Sequence, residues 1–262
     1  MRLATWNVNS VRARAERVAA WLRRQDVDVL AVQETKCRDD QFPYPAFEAA
    51  GYQVAHHGLS QWNGVALLSR VGIDDVEVGF PGMPSWGDPP AAEARALTAT
   101  CGGVRVASLY IPNGRTLDNP HLVYKLEWLR ALSEAGTGWL TADPEAQLAL
   151  VGDWNVAPRD EDVWSMAAFE GSTHVSPAER EAFETVVSAG FADVVRPHCP
   201  GPGVYTYWDY QQLRFPRREG MRIDFVLASP ALARRVRTAF IDREERKGKG
   251  ASDHAPVVVD LD

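Results

Sequence analysis

The 262-residue sequence is poor in cysteine, in long apolar runs and in positive charge, and each shortage excludes something. Only Cys37, Cys101 and Cys199 are present, an odd number at wide spacing, which rules out a disulfide framework or a cysteine-built zinc cluster. A reducing compartment follows as the expectation. No stretch reaches the ~18 consecutive apolar residues that a membrane span needs, and "MRLATWN" lacks the basic and apolar regions of a signal peptide. These features predict a soluble, cytoplasmic protein with no membrane partner, expected to act as a monomer. Basic residues number 28 against 35 acidic ones, for a net charge of −7. That balance lacks the basic footprint usual in nucleic-acid binders. It does not exclude a polyanionic partner, because a local face can differ from the whole, and carboxylates that hold a divalent cation are neutralised by it. Lysine is scarce too, with 4 of the 28 basic positions, and arginine suits bidentate phosphate contacts. A GC-rich genome gives the same bias, so the ratio carries little weight.

Apolar, strand-like runs are abundant. They fall at 2–6, 27–32, 64–69, 96–101, 104–111, 148–152, 204–210, 222–229, 236–242 and 255–261. Gly102-Gly103 between two of them is a hairpin signal. Helical periodicity is clear in three places: Val11 to Leu22, Leu122 to Leu132 before Gly136, and "SPAEREAFETVVSAG". The last carries Ser176 as N-cap, Pro177 at the first helical position, Glu179 completing a capping box and Gly190 past the end. Many strands and few helices favour an α/β fold of two mixed β-sheets packed face to face, with helices outside. The Pro/Gly-rich stretches at 79–90 and 197–203 read as loops because similar strands resume on both sides, so residues 1–262 are expected to form a single domain.

Several of these runs end or begin on side chains that a core strand does not need. Asn7 follows the first, Glu34 the second, and Tyr110 and Asn113 sit in "LYIPNG". Asp153 and Asn155 sit in "GDWNVAP", Asp224 lies inside "RIDFVL", and Asp253 and His254 precede the last run. Any one of them alone reads as a turn or cap residue. Together they match one chemistry. Carboxylate and amide oxygens are hard ligands suited to Mg²⁺ or Mn²⁺, whereas zinc favours His and Cys. Asp153 and Asn155, two apart, would share a side in an extended segment. An Asp–His pair with a Tyr or Asn can bind and protonate phosphate oxygens, so the set reads as metal-assisted phosphoester hydrolysis.

The ordered motifs "TWNVNS", "DVLAVQETK", "NGVALLSR", "LYIPNG", "GDWNVAP", "RIDFVLAS" and "SDHAPV" resemble the exonuclease III family of abasic-site endonucleases, within the DNase-I-like endonuclease/exonuclease/phosphatase superfamily. The resemblance covers residues 1 to about 260. It implies a four-layered α/β sandwich and a Mg²⁺-dependent DNA repair nuclease. The implied activities are incision 5′ to abasic sites, 3′–5′ exonuclease action and removal of blocked 3′ ends, on duplex DNA. It further implies a metal site of Asn7, Glu34, Asp153, Asn155, Asp253 and His254, with Glu34 as principal ligand supported by Asn7 and Asp253. Asp153 would activate the attacking water and Asn155 would hold it. His254, paired with Asp224, would grip the phosphate, and Tyr110 would contact the phosphate or the leaving oxygen.

The same resemblance places an apolar pocket for a baseless deoxyribose at Tyr207, Met221 and Ile223, with Trp208, of opposite parity, in the core. Phosphate contacts are expected from Arg95, Asn113, Arg115 and Lys125. Arg12, Arg14 and Arg17 instead read as the solvated face of the first helix. The sequence departs from the family pattern in the Pro-rich connection 81–94 and in its Tyr207-Trp208 pair. The alternatives are a phosphoinositide-phosphatase-like enzyme, for which no basic specificity loop is visible, and a non-catalytic DNA-binding relative.

Overall fold

The computed structural model describes residues 1–262. One six-stranded sheet contains β1 (Arg2–Asn7), β2 (Val29–Gln33), β3 (Gln53–His57), β4 (Val65–Ser69), β11 (Val236–Ile241) and β12 (Val257–Leu261), in the order β11-β12-β1-β2-β4-β3. The second contains β5 (Asp74–Val78), β6 (Ala96–Cys101), β7 (Val104–Tyr110), β8 (Leu148–Asp153), β9 (Ala192–Asp193) and β10 (Asp224–Ala228), in the order β5-β6-β7-β8-β10-β9. Each sheet has one parallel pair at its middle, β1 with β2 and β7 with β8. A parallel pair requires a long crossover, and helices supply it: α1 (Val11–Gln25) in the first case and α3 (Pro120–Ala142) in the second. Three further helices are α2 (Tyr44–Glu48), α4 (Pro177–Ser188) and α5 (Pro230–Ala233).

Strand alternation builds the layers. Leu3, Val29 and Ala31 face the other sheet and meet Val106, Val151 and Val226. Ala4, Trp6, Leu30 and Val32 turn outward onto Val18, Trp21 and Leu22 of α1. Leu109, Leu150 and Phe225 likewise pack on Trp128 and Leu132 of α3 and Phe183 of α4. Each such buried Leu or Val contributes roughly 1.5–3 kcal/mol, so both faces of each sheet are committed to apolar packing. The result is the expected four-layered α/β sandwich. Its interior also carries a polar bridge between the sheets, where Gln33 Nε2 donates to Ser108 Oγ at 3.1 Å and to Thr5 Oγ1 at 3.0 Å.

Local signals held where the chemistry is short-range. Ser176 Oγ accepts from the Glu179 amide and the Glu179 carboxylate accepts in return, forming the capping box of α4. Gly102 and Gly103 both take positive φ in the β6–β7 turn. Helix α3, however, runs through Gly136 to Ala142, and a Cβ at position 136 would come within 2.8 Å of the Phe191 ring. Glycine there serves close packing and does not end the helix. The run 204–210 is not a strand: the amides of Thr206 and Tyr207 both bond Met221 O, a bulge that leaves only isolated bridges at Tyr207. The Pro-rich connection 81–94 is pinned to α3 by Trp86, which stacks on Tyr124 at 5.0 Å and meets His121 edge-on at 4.8 Å. No helix is long and apolar enough to cross a membrane.

Candidate active site

The two parallel pairs point their carboxyl ends at one rim, and open α/β sheets place ligands at such ends. β10 and β12 run antiparallel to their neighbours, so their first residues reach the same rim. Asn7, Glu34, Tyr110 and Asp153 therefore arrive from strand ends, and Asp224 and His254 from strand beginnings. Asn7 has the parity of Leu3 and Thr5, so its side chain crosses between the sheets. Its Nδ2 donates to Glu34 Oε1 at 2.8 Å and to Asp153 Oδ2 at 2.9 Å. Glu34 holds a left-handed backbone, φ 54°, unusual for a non-glycine residue, and is secured by the bond from Ser10 N to its carbonyl. Gly152 is forced by the rim as well, since a Cβ there would lie 1.9 Å from Leu109 O on β7.

Charges are tightly balanced. His254 Nδ1 lies 2.9 Å from Asp224 Oδ2, and its Nε2 lies 3.7 Å from Asp153 Oδ2. Burial works to lower the His254 pKa, but Asp224 and Asp153 overcome it and hold the group protonated, with a value raised to about 10. Asp153 is pushed up to about 7 by burial, against the attraction of His254 and with the repulsion of Asp224 and Glu34. Glu34 is half-buried, which acts to raise its pKa. Lys36 Nζ at 2.7 Å and the Asn7 amide keep it below the usual carboxylate range. The Tyr110 phenol is driven well above its ordinary value by burial and by Glu34, so it remains a hydrogen-bond donor.

Beside this cluster lies a cavity of about 400 Å³ whose lining includes Arg115, Trp164, His174, Tyr207, Arg214 and Met221. The Tyr207 ring, part of the cavity lining, stands 4.9 Å from the His254 imidazole, so one wall of the cavity packs against the charged cluster.

The endonuclease/exonuclease/phosphatase family model matches residues 4–254. The chain belongs to this family. An exodeoxyribonuclease of Bacillus subtilis is 30% identical over 98% of both chains. Among solved structures, a Neisseria 3′ phosphatase bound to a product DNA hairpin matches with a TM-score of 0.93 and 36% identity, covering 100% of this chain and 99% of that one. An AP endonuclease from Archaeoglobus fulgidus matches at 0.92 and 34%, with 100% and 99% covered. Within the family the chain stands in the exonuclease III / AP endonuclease group, and it is a hydrolytic nuclease.

The family is metal-dependent, and the residues at the rim fit a hard cation. Potential donor atoms of Glu34, Asp153 and His254 lie within 4.8 Å of one another, and the Lys36 ammonium already rests on Glu34 Oε2. Of the expected ligands the oxygens of Glu34 and Asp153 suit this place. His254 turns both ring nitrogens to carboxylates, Nδ1 to Asp224 at 2.9 Å and Nε2 to Asp153 at 3.7 Å. Asn155 does not continue the extended segment, since its φ is 51°; its backbone amide donates to Asp153 Oδ1 at 3.0 Å, and its Oδ1 lies 3.1 Å from Asn113 Nδ2 and 3.2 Å from His174 Nε2. Asp253 accepts from Asn9 Nδ2 at 3.1 Å and flanks the cluster from outside it.

Two expected phosphate contacts are corrected. Lys125 is fully buried and paired with Glu179, so it cannot reach a DNA backbone. Arg95 is 5% exposed, bonded to Glu93 at 2.6 Å and placed 4.9 Å over the Tyr110 ring, where it supports Tyr110. Asn113 and Arg115 are exposed at the cavity mouth, as a backbone contact requires. Ile223 is buried behind Met221 with Ala157 and Val175, so it backs the pocket wall without lining it. Trp208 is in the core as expected. On α1, Arg12 is exposed, but Arg17 pairs with Glu245 and Arg14 bonds Tyr210 and Ala251. Lys36 and His174 were missed by the sequence reading. Lys36 had a signal, since it lies two residues from Glu34. His174 had none, being a lone histidine in a loop.

Proposed function

We propose that the protein is a Mg²⁺-dependent hydrolase of phosphoester bonds at damaged positions in duplex DNA, incising 5′ to abasic residues and clearing blocked 3′ ends. Mn²⁺ substitutes. The observation that carries this reading is the convergence of Glu34, Asp153 and protonated His254 at one rim, packed against a wall of the Tyr207–Met221 cavity. Glu34 and Asp153 would hold the cation, with Asn7 orienting both and Asp253 alongside, and the cation would neutralise phosphate charge and acidify water. Asp153, held in place by Asn7 and facing His254, takes the proton of the attacking water. His254, kept charged by Asp224, binds a non-bridging phosphate oxygen, and the Tyr110 phenol donates to the charge that develops in the transition state. Tyr207 and Met221 contact the deoxyribose, and a baseless sugar enters at low stacking cost. Arg115 and Asn113 bind the DNA backbone. Residues 1–262 act as one catalytic domain, as a monomer, in a cytoplasm where the three free cysteines stay reduced.

A second reading, in which 3′-phosphate removal dominates, is favoured by His174. Its ring lies against Asn155 and lines the same cavity, which adds a hydrogen-bonding group where a terminal phosphate would enter. The test uses two duplexes, one with an internal tetrahydrofuran residue and one with a nick bearing a 3′-phosphate, each with Mg²⁺ and with EDTA. Turnover of both with Mg²⁺ and of neither in EDTA is expected. A much faster 3′-phosphate reaction selects the second reading. No turnover of either duplex with any divalent metal refutes both.

A further inference from the structure

Lys125 and Glu179 form an ion pair in which both side chains are fully buried. Such a pair is weak evidence for stability, because apolar replacements of similar volume are often neutral or stabilising. What the pair holds is more informative. Lys125 Nζ donates to Glu179 Oε1 at 2.5 Å, to Asn155 O at 2.5 Å and to Asn113 O at 3.4 Å, so its three protons are all used. Glu179 Oε1 also accepts from His174 N at 2.9 Å, and Oε2 accepts from Ser176 Oγ at 2.6 Å. One buried pair thus ties together the segments after β7, after β8 and before α4.

Those segments carry strained backbone. Arg115, Asn155 and His174 have positive φ, and non-glycine backbone in that region persists only when its surroundings over-determine it. The side chains carried there depend on each other. Asn155 Oδ1 receives Asn113 Nδ2, and His174 Nε2 lies 3.2 Å from the same oxygen and 3.3 Å from Asn113 Nδ2. Each of the three residues has a backbone group bonded to the pair.

We propose that the Lys125–Glu179 pair is a positioning device for the nuclease reaction, fixing Asn113, Asn155 and His174 as one unit at the mouth of the cavity. The inference rests on the proposed function, in which Asn113 binds the DNA backbone and His174 lines the cavity, and it adds Asn155, bonded to both and to Asp153, as the third member bordering the substrate. The test is the uncharged variant K125M/E179Q, which removes both charges and leaves neither stranded.

The variant is expected to melt close to wild type. On the faster of the two duplexes its kcat falls about ten- to hundredfold while KM changes little, the mark of lost orientation. Adding N155A to it costs little more, whereas N155A alone costs as much as the pair, because contacts acting as a unit are not additive. Independently of substrate, the side-chain amide NMR signals of Asn113 and Asn155 change from sharp single signals to broadened or doubled ones. If the wild type hydrolyses neither duplex, the proposed function fails and the amide signals alone decide the positioning claim. Should K125M/E179Q not fold, K125R serves instead, since a planar guanidinium cannot meet the same three acceptors. Wild-type kcat with sharp amide signals, or losses that simply multiply, would overturn the proposal.

Discussion

Replacing Gly152 by alanine perturbs the rim without touching a charged group. Gly152 pairs with Leu109 across the parallel β7–β8 ladder and has φ of 145°. A Cβ would stand 1.9 Å from Leu109 O and 2.8 Å from Leu109 C, both backbone atoms that cannot step aside while the ladder persists. The unfavourable φ costs about 1–3 kcal/mol. Forcing the strands apart adds about 1–3 kcal/mol, for a total near 4 kcal/mol. At about 2–4 °C per kcal/mol for a chain of this size, the midpoint drops by roughly 10 °C. Asp153 is the next residue, so the displacement carries its carboxylate, and a shift of an ångström there costs about a hundredfold in rate. Gly103 is the control: its φ is also positive, but an added Cβ meets nothing within 4 Å. Gly103→Ala should cost only about 1–2 kcal/mol and leave the rate unchanged. Thermal melts and initial rates on the better duplex check both. A Gly152→Ala protein with wild-type melting and rate would show that the β7–β8 contact does not set the position of Asp153.

Arg95→Met removes the guanidinium over Tyr110 and strands the Glu93 carboxylate, so kcat should fall about tenfold with a lower melting temperature; kinetics with unchanged kcat would contradict the support role. Burial lowers the pKa of His56 and of His121 to about 4, so both fold in the neutral form. Their contribution is complete above the unfolded value near 6.5 and is lost as pH falls toward 4. Melting temperature should therefore decline across that window, and less so in His56→Gln/His121→Gln; an identical decline would remove these histidines from the acid response.

The core strands and the rim were legible because both obey short-range rules. Continuous apolar runs mark β1, β2, β7, β8, β10 and β12, because both faces of these strands are buried, and a polar residue at the end of such a run is visible against it. Strands β3 and β5 were not legible: "QVAHH" has little apolar contrast, and every residue of "DDVEV" is exposed on a sheet edge. The run 204–210 misled in the other direction, since its aromatic alternation is real and the bulge at Thr206 and Tyr207 depends on Met221, fourteen residues on. Lys125 and Arg95 read as surface cations because no local pattern announces a burial partner. For Lys125 that partner is Glu179, whose capping-box signal was seen and whose second role was not. The left-handed turn at Asn155, which breaks the extended geometry expected for Asp153 and Asn155, likewise goes with contacts to Lys125 and His174 that no local pattern announces.

The account depends most on Asp153 as the group that takes the proton from water. Asp153→Asn keeps the size and can still accept from the Asn155 amide, now at 3.0 Å from Oδ1, so the protein should melt near wild type. With Mg²⁺ saturating, its single-turnover rate on the faster duplex should fall by a factor of about a thousand or more. A folded Asp153→Asn protein that keeps its rate within about tenfold of wild type would contradict the central claim, because no effect of general-base size would then rest on this carboxylate.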